Sequence, residues 1–327
     1  MLAAKVPKQK AEKLRQFLVK NNLFLKNYKP IRARKYVYFP VKQKFEFPGI
    51  KFCYKNFQTT KPKKPEDLLK DKLTKEELSL LPKSFDIIGD VLIFELDKKL
   101  EKKEKIIAEA FLKCYKNIKV VAKKAAAVSG KYRTRKLKIL AGENRKETIH
   151  KENNVLIKLD VEKCYFSPRL ANERLRIAKL VRPKEHVLVM FSGVGPYCLV
   201  IAKNSKAEKI YGVEINPIAH KYALENVRIN KLGNVYLFKG DVRKVLPKIK
   251  EMFDRIVMPL PKDSPTFLNL AIKKLKPHGT IHLYLFAEEK DFDKIIKKYS
   301  KKFKVKLVKC GQYAPEVYRI CLDLKKR

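Results

Sequence analysis

The sequence VLVMFSGVG at residues 187–195 decides the fold of this chain. Its apolar run ends in Gly193 and Gly195, and a second β-like run, YGVEINP at residues 211–217, ends in the carboxylate of Glu214. Glycine lets the backbone approach a ligand without a Cβ in the way. Gly193 and Glu214 are 21 positions apart, close to the spacing of about 20 residues between glycine turn and ribose-binding acid in nucleotide-binding folds. The pattern predicts a site for an adenosine-containing cofactor.

Three cofactor classes compete for this pattern. The phosphate-binding motif GxxxxGK[ST] is absent, and residues 196–198 read PYC where a dinucleotide motif would supply its third glycine. S-adenosylmethionine has no phosphate, so it needs only the close approach and the ribose acid. Asp241, in KGDV at residues 239–242, would hold the adenine amino group. We therefore expect S-adenosylmethionine; the alternatives are a generic sheet whose glycines turn a loop, and an Asp241 that caps a helix.

The pattern of elements predicts three domains. Seven apolar β-like runs alternate with helical segments in residues 165–327, which indicates a doubly wound sheet with ligands at the carboxyl ends of its strands. The predicted fold class is α/β, a class I (Rossmann-like) methyltransferase sheet with two smaller α+β N-terminal domains. The expected boundaries are 1–62 for a small module, 63–81 for a charged, proline-punctuated linker, 82–164 for a mixed α+β domain and 165–327 for the methyltransferase domain.

The charge predicts a polyanionic partner. The 327 residues include 77 Lys and Arg against 34 Asp and Glu, a formal net charge of +43. Such a field attracts nucleic acid, although lysine-rich usage also accompanies high growth temperature. Seven arginines fall within residues 133–182, where bidentate donors suit phosphate or base-edge contacts. Arg32 and Arg34 beside Tyr36 and Tyr38 suit single-stranded RNA, or else form a solvated strand edge with core tyrosines.

The cysteines and apolar segments exclude several classes. Six scattered cysteines form no CxxC pair and the five histidines lack ligand spacing, so we expect no metal and a reducing compartment. No apolar run reaches the roughly 18–20 residues of a membrane span. The N-terminus has no signal-peptide core. These features predict a cytoplasmic protein with no membrane partner.

Four ordered motifs give the chain a family resemblance. They are GKYRTR at residues 130–135, CYFSPRLANER at 164–174, FSGVGP at 191–196 and MPLP at 258–261. Together they resemble the archaeal and eukaryotic tRNA (guanine-37, N1) methyltransferases, across the second and third domains. The order of the first module also fits that family. The resemblance implies tRNA as partner at position 37 of the anticodon loop, a tRNA-binding first domain, RNA-binding and active-site residues in the second, and a monomer.

The resemblance and the chemistry together name the candidate residues. Guanine N1 carries a proton at neutral pH, so its methylation needs a base, and negative charge then develops on O6. Glu173, at the start of a helix that Ser167 caps, is the candidate base, and Arg133 is the candidate donor to O6. The remaining expected contacts are Arg174, Phe191, Gly193, Gly195, Glu214, Ile215, Asp241 and Val242 for the cofactor and Arg135, Arg145, Tyr165, Pro259 and Pro261 for the substrate.

Each assignment has a plainer alternative. Glu173 lies four residues after Arg169, so the two could form a surface ion pair. Arg133 and Arg135 could contact phosphates. Tyr165 and Phe166 could belong to the core or shape the guanine pocket.

Two positions depart from the family pattern. Val189 stands where the family often has an acid, so Glu214 must carry more of the cofactor's polar recognition. Pro259 stands where many members have asparagine, and proline donates no hydrogen bond. MPLP is associated with an archaeal subset that resembles bifunctional enzymes, which also methylate C7 of 4-demethylwyosine in tRNA-Phe. Other hypotheses are a wyosine-pathway aminocarboxypropyl transferase and a non-catalytic RNA-binding protein that keeps the fold as a scaffold.

Overall fold

The structure is a computed structural model that describes residues 1–59, 64–125, 130, 132–262 and 264–326. The predicted boundary at 62/63 and Lys131 in the GKYRTR segment lie outside the described residues. The chain divides into two compact units, Met1–Lys72 and Leu73–Arg327, which are described separately.

The first unit is a four-stranded antiparallel sheet with one long helix. The sheet order is β2-β3-β1-β4, and Leu14 and Leu18 of α1, one turn apart, are fully buried against it. The amphipathic pattern of residues 10–25 predicts a longer helix, but α1 ends at Lys20, because Asn22 takes a left-handed backbone conformation with φ +53°. The elements are β1 (Leu2–Pro7), α1 (Ala11–Lys20), β2 (Ile31–Arg32), β3 (Tyr36–Pro40), β4 (Lys51–Tyr54) and α2 (Pro65–Leu69).

The first part of the second unit contains a four-stranded mixed sheet and a separate hairpin. The sheet order is β5-β6-β7-β8, with α4 connecting the parallel strands β6 and β7. Gly89 turns the β5–β6 hairpin, and a Cβ there would lie 2.2 Å from Thr148 Oγ1, so only glycine fits. The elements are α3 (Lys75–Ser79), β5 (Phe85–Ile88), β6 (Val91–Phe94), α4 (Glu104–Cys114), β7 (Val120–Lys124), β8 (Leu137–Gly142), β9 (Glu147–Glu152) and β10 (Val155–Asp160).

The rest of the second unit is the seven-stranded sheet that the sequence predicts. The elements are α5 (Ala171–Leu180), β11 (His186–Met190), α6 (Pro196–Asn204), β12 (Lys209–Glu214), α7 (Pro217–Ile229), β13 (Val235–Lys239), α8 (Val242–Val245), β14 (Phe253–Met258), α9 (Leu268–Lys273), β15 (Leu275–Glu288), α10 (Phe292–Ser300), β16 (Phe303–Ala314) and β17 (Val317–Lys326). The strand order is β13-β12-β11-β14-β15-β17-β16, with β17 antiparallel to both of its neighbours.

The order of this sheet decides where a ligand can bind. β11 pairs in parallel with both β12 and β14, so the direction of winding reverses between them. Ligands of open α/β sheets bind at such a point, beyond the carboxyl ends of the strands. The side chains of β11 alternate between two buried layers, Val187 and Val189 in one and Leu188 and Met190 in the other. The strand is therefore covered on both faces, as its unbroken apolar run predicts.

Candidate active site

The loop after β11 forms a cradle with room above one glycine. Phe191, Gly193 and Gly195 have φ of +58°, +58° and +88°, and Gly195 is the N-cap of α6. A Cβ on Gly193 would meet only the carbonyl oxygen of Tyr165, at 3.8 Å. The space over Gly193 is thus open to a ligand. A Cβ on Gly195 would meet only ordinary contacts, the nearest being Ala223 of α7 at 3.5 Å, so its φ of +88° rather than lack of space favours glycine there.

Glu214 ends β12 beside this cradle. Its Oε2 accepts the N–H of Gly193 at 2.7 Å, and its Oε1 accepts the N–H of Asn216 at 2.7 Å. Burial raises the pKa of Glu214, and the backbone hydrogen bonds from Asn216 and Gly193 offset part of that rise. Since each carboxylate oxygen has two lone pairs, both remain able to accept a ligand hydroxyl.

Two adjoining cavities lie at this edge of the sheet. They share Phe191, Ile215 and Leu260 as lining residues. The larger, about 180 Å³, is mostly apolar and is also lined by Val213, Gly240, Asp241, Val242, Arg243 and Phe267. The smaller, about 100 Å³, is also lined by Tyr132, Arg133, Tyr165, Gly193, Glu214, Asn216, Ala219 and Pro259.

Two larger cavities, each about 620 Å³, lie elsewhere and are weaker candidates. One is within the first unit; the other borders β9 and includes Arg145. Apart from Arg145, neither is lined by a residue predicted to contact the cofactor or the target base, although Arg32 lines the cavity of the first unit. We favour the smaller pair because glycine cradle, carboxylate and guanidinium converge there.

Asp241 serves as a helix cap and also lines the larger cavity. Its Oδ1 accepts the N–H of Arg243 at 2.9 Å, and its Oδ2 lies 2.6 Å from Nη2 of the same residue. The sequence offered a cap and an adenine contact as alternatives; the cap contact is present, and the position of Asp241 on the cavity wall is compatible with both.

The ion pairs separate Arg133 from the other arginines of residues 133–182. Arg133 lines the smaller cavity with its guanidinium carbon 5.8 Å from the Tyr165 ring centre, and no described carboxylate lies within ion-pair distance of it. The other six each pair with an acid: Arg135–Asp86, Arg145–Asp90, Arg169–Asp86, Arg174–Glu152, Arg176–Glu173 and Arg182–Glu185. Phosphate or base contacts therefore do not account for the clustering as a whole.

Glu173 is not among the residues that line either cavity. It lies in the first turn of α5, 6% exposed, where Arg176 donates two hydrogen bonds of 2.8 Å to it and the Tyr284 hydroxyl donates one of 2.6 Å. The alternative pair with Arg169 does not form. Tyr284 lies on β15, next to Leu283, and Leu283 pairs with Met258 of β14. Met258 directly precedes Pro259, which lines the smaller cavity. The carboxylate is thus bonded to a residue of the strand next to the one that leads to Pro259, but the structure does not bring it together with Arg133.

A largely buried chain of polar and charged groups continues from Glu173 to the strands of the sheet. Arg176 bridges Glu173 and Asp323 at 2.8 and 2.7 Å, and Asp323 lies 2.6 Å from Nδ1 of His282. Arg255 Nη1 lies 2.7 Å from Nε2 of His282. An arginine only donates, so Nε2 accepts and Nδ1 carries the proton. Burial lowers the pKa of His282, which keeps the ring neutral.

The same cluster includes the one group of described His, Cys and Asp side chains close enough to hold a metal ion, His282, Cys321 and Asp323. Two guanidinium groups, of Arg255 and Arg176, already occupy the ring nitrogen and the carboxylate. Positive charge at both ends opposes binding of a cation there.

The remaining predicted residues are placed as follows. Tyr165 is 36% exposed and lines the smaller cavity, whereas Phe166 is buried in the core. Arg174 is 2% exposed, pairs with Glu152 and stacks on Phe166, so it does not line the cofactor cavities. Arg145 lies away from the site and Pro261 lines neither cavity. Ser167 occupies an N-cap position but makes no side-chain capping bond; instead its carbonyl accepts from Arg174.

Sequence reasoning missed several residues of the site. Tyr132, Asn216, Leu260 and Phe267 line the cavities. Asn216 follows Glu214, the predicted ribose acid, by two positions and caps α7, a signal that the motif INP carries. Tyr284, the partner of Glu173, and Asp323, the partner of Arg176, come from strands more than 100 positions away along the chain, and no local pattern indicates them.

Comparisons with known proteins agree with this geometry. Residues 148–309 match the TRM5/TYW2 methyltransferase domain, residues 66–145 the TYW2 N-terminal domain and residues 3–47 the tRNA methyltransferase 5 N-terminal domain. The tRNA (guanine(37)-N(1))-methyltransferase Trm5b of Pyrococcus abyssi is 39% identical over 335 residues, covering 99% of this chain and 98% of the relative.

Solved structures extend the likeness to three dimensions. The complex structure of aTrm5 and tRNALeu is similar with a TM-score of 0.78 and 34% identity, over 100% of both chains. Methanocaldococcus jannaschii TYW2 in complex with AdoMet is similar with a TM-score of 0.57 and 29% identity, over 75% of this chain and 100% of that chain. The resemblance of the four motifs is confirmed, and this chain belongs to the TRM5/TYW2 family of methyltransferases.

Proposed function

We propose that the protein is an S-adenosylmethionine-dependent methyltransferase that modifies N1 of guanosine 37 in tRNA. The observation that carries the proposal is the position of Arg133, an arginine with no acidic partner in the described chain, on the same cavity as Gly193 and Glu214. A cofactor cradle and a free guanidinium at one cavity suit transfer to a base that develops negative charge.

The residues present fit an adenosine-bearing cofactor without phosphate. Open space over Gly193 and two acceptor oxygens on Glu214 suit a ribose, and the apolar cavity between Phe191, Ile215 and Phe267 suits an adenine ring. Pro196 at the first position of α6 removes a backbone donor that a phosphate would use. When bound, S-adenosylmethionine supplies an electrophilic methyl group on a sulfonium.

Arg133 is proposed to stabilise the guanine as it loses its N1 proton. Charge then moves onto O6, and a preformed cationic donor lowers the barrier by meeting that charge. The Tyr165 ring beside the guanidinium would help to hold the purine. Arg133 itself has φ +53°, an uncommon conformation for a residue with a side chain, and such strain often accompanies functional positions.

Glu173 is proposed to accept the N1 proton. Glu173 is buried and accepts the hydroxyl of Tyr284 on β15, the strand next to the one that leads to Pro259 of the cavity. The proposal requires the carboxylate to become reachable when substrate binds, since apo geometry often has catalytic groups bonded elsewhere. Arg176, which holds both oxygens, is the group that must release or reorient it.

Labelled cofactor and tRNA carrying G or A at position 37 test the reaction. We expect methylation of the G37 tRNA alone; equal labelling of both would refute transfer to guanine N1. The mass added to the nucleoside also distinguishes a methyl group from the larger aminocarboxypropyl group. A tRNA carrying 4-demethylwyosine tests the second substrate, which we propose because Pro259, rather than asparagine, lines the smaller cavity.

Variants assign the roles. Glu173→Gln and Arg133→Lys are each expected to lower kcat by about 10²-fold or more, the scale of a lost general base or oxyanion donor, with cofactor affinity unchanged. Glu109→Gln, on the exposed face of α4, is the matched control. Unchanged turnover in Glu173→Gln would remove it as the base.

We further propose that the protein acts as a monomer and that the first unit binds tRNA. On that unit Lys5 lies 4.0 Å from the ring centre of Tyr36, and Lys55 lies 5.2 Å from that of Tyr38, which brings charge and aromatic surface together. Sedimentation of the protein with and without tRNA tests the monomer. Arg32→Glu with Arg34→Glu should weaken tRNA binding while leaving cofactor affinity unchanged.

A further inference from the structure

Aromatic rings and guanidinium groups continue outward from the smaller cavity. The Phe286 and Tyr313 rings lie 4.1 Å apart at 31°, and the Arg319 guanidinium carbon lies 5.4 Å from the centre of Phe286. Arg319 Nη2 then lies 3.4 Å from the Tyr165 hydroxyl. We call Tyr165, Phe286, Tyr313 and Arg319 the stacking face.

The sheet places this face at the edge where the cofactor cavities lie. Leu283 of β15 pairs with Met258, the last residue of β14, so Phe286 lies three positions beyond the end of that strand. Arg319 of β17 is the register partner of Phe286, and Tyr313 reaches it from β16. Three strands thus deliver the face to the carboxyl edge of the sheet, next to Tyr165.

Exposure and charge argue that the face is not part of the core. Tyr313 is 62% exposed and Tyr165 is 36% exposed. Arg319, like Arg133, has no carboxylate within ion-pair distance in the described part of the chain. Glu288, two positions from Phe286 on the same strand, is neutralised by Lys290 at 2.6 Å. A stacked, exposed tyrosine beside unpaired guanidinium groups is the composition of a surface that binds single-stranded nucleic acid.

We propose that the stacking face binds the nucleobase immediately next to the target guanosine in the tRNA. This inference rests on the proposed function. A base that enters an enclosed pocket leaves its stack, which deprives its neighbour of one stacking partner. Tyr313 and Phe286 offer a replacement surface, and Arg319 offers a planar cation on the side toward the pocket. The ligand is the π face of a base, so the site should tolerate different bases.

The test measures RNA binding separately from methylation. An anticodon stem-loop RNA carrying fluorescein is titrated with full-length wild-type protein, Tyr313→Ala, Tyr313→Phe and Tyr236→Ala. Tyr236 is 43% exposed and stacks on Tyr211 at the opposite edge of the same sheet, which makes it the matched control. Stem-loops with an abasic residue on either side of position 37 repeat the titrations.

We expect Tyr313→Ala to weaken binding by about 5- to 100-fold, the range for losing one base–aromatic stack, with Tyr313→Phe and Tyr236→Ala near wild type. One of the two abasic RNAs should bind wild-type protein as weakly as the intact stem-loop binds Tyr313→Ala, and its affinity should not change further in Tyr313→Ala. Equal binding of Tyr313→Ala and wild type would overturn the inference, as would the same loss with both abasic RNAs. A change in oligomeric state in Tyr313→Ala, with RNA affinity retained, would instead indicate a protein contact and overturn it too.

Failure of the proposed function has a different signature. Wild-type protein that methylates G37 tRNA while Tyr313→Ala binds RNA normally refutes only the stacking face. Wild-type protein that transfers no methyl group, although Tyr313→Ala lowers RNA affinity, refutes only the proposed reaction.

Discussion

The substitution Glu214→Gln tests the cofactor site most directly. Glutamine has nearly the shape of glutamate, but one terminal atom becomes an N–H₂ donor. The two oxygens of Glu214 now accept N–H groups from Gly193 and Asn216, both at 2.7 Å. In the variant one of these backbone donors would face another donor and lose its partner.

The size of the effect follows from these bonds. A buried group left without its partner costs about 1–3 kcal/mol, and a hydrogen bond to a charged acceptor contributes about 1.5–3 kcal/mol. If ribose hydroxyls donate to Glu214, the variant should bind S-adenosylhomocysteine about 10- to 150-fold more weakly. Calorimetry with wild type and variant measures this ratio.

A second ligand turns the measurement into a double-mutant cycle. The analogue of S-adenosylhomocysteine that lacks both ribose hydroxyls should bind wild type more weakly and discriminate little between wild type and variant. We expect a coupling energy above about 1 kcal/mol. Coupling below about 0.5 kcal/mol, where independent sites fall, would mean that the ribose does not meet Glu214, and the cofactor assignment would fail.

Glu214 should make protein stability and cofactor affinity depend on pH in opposite directions. Because burial raises the pKa of Glu214, the folded apo protein holds the Glu214 proton more tightly than the unfolded chain does. The contribution of Glu214 to stability is therefore present at low pH and is lost as the pH rises through the raised pKa. Donation from ribose hydroxyls favours the charged form, so cofactor affinity should instead fall as the pH drops through that pKa. Glu214→Gln should lose both dependences, in urea unfolding and calorimetry between pH 4 and 8.

Two further predictions concern the scaffold behind the site. Asp323→Asn should lower the free energy of unfolding by about 2–4 kcal/mol, because it breaks a largely buried pair with Arg176. Burial raises the pKa of Asp323, but bonds from His282 and Arg176 outweigh burial and lower it, so the stability advantage of wild type should persist at neutral pH and disappear only as the pH falls below the ordinary range of aspartate. Urea unfolding that shows no difference at pH 7 would contradict the network. Gly212→Ala should cost about 1–3 kcal/mol, because its Cβ would lie 2.7 Å from Leu237 Cδ2 and 2.9 Å from Cys198 Sγ, whereas Gly233→Ala, where a Cβ meets nothing within 4 Å, is the control that should unfold like wild type.

Much of the fold can be predicted from local pattern. The alternation of apolar runs with helical segments predicts the seven strands, because each run is short and bounded by turn residues. The ends of elements are less well predicted. Strand β15 begins at Leu275, before Pro277 and Gly279, and passes through a left-handed residue, His278 with φ +58°, where its pairing with β14 is irregular. The pattern of residues 264–275 predicts one helix, but α9 covers only Leu268–Lys273.

The predicted cofactor contacts belong to the part that the sequence by itself determines. Gly193 and Glu214 close the ends of two strands adjacent in sequence and in the sheet, so spacing alone brings them together. The arginines show the opposite case. Residue type and clustering do not distinguish the seven arginines. Only the tertiary structure shows that six pair with carboxylates, whereas Arg133 has no carboxylate partner among the residues that the structure describes.

The physical reason is the range of the interactions. Strand periodicity and glycine turns depend on neighbours within a few residues, which the sequence displays directly. An ion pair depends on which distant strand lies alongside: Glu173 gains Tyr284 at a separation of 111 positions, and Arg176 gains Asp323 at 147. The order of the strands in the folded sheet therefore determines which charged side chains are paired and which described ones stay available to a ligand.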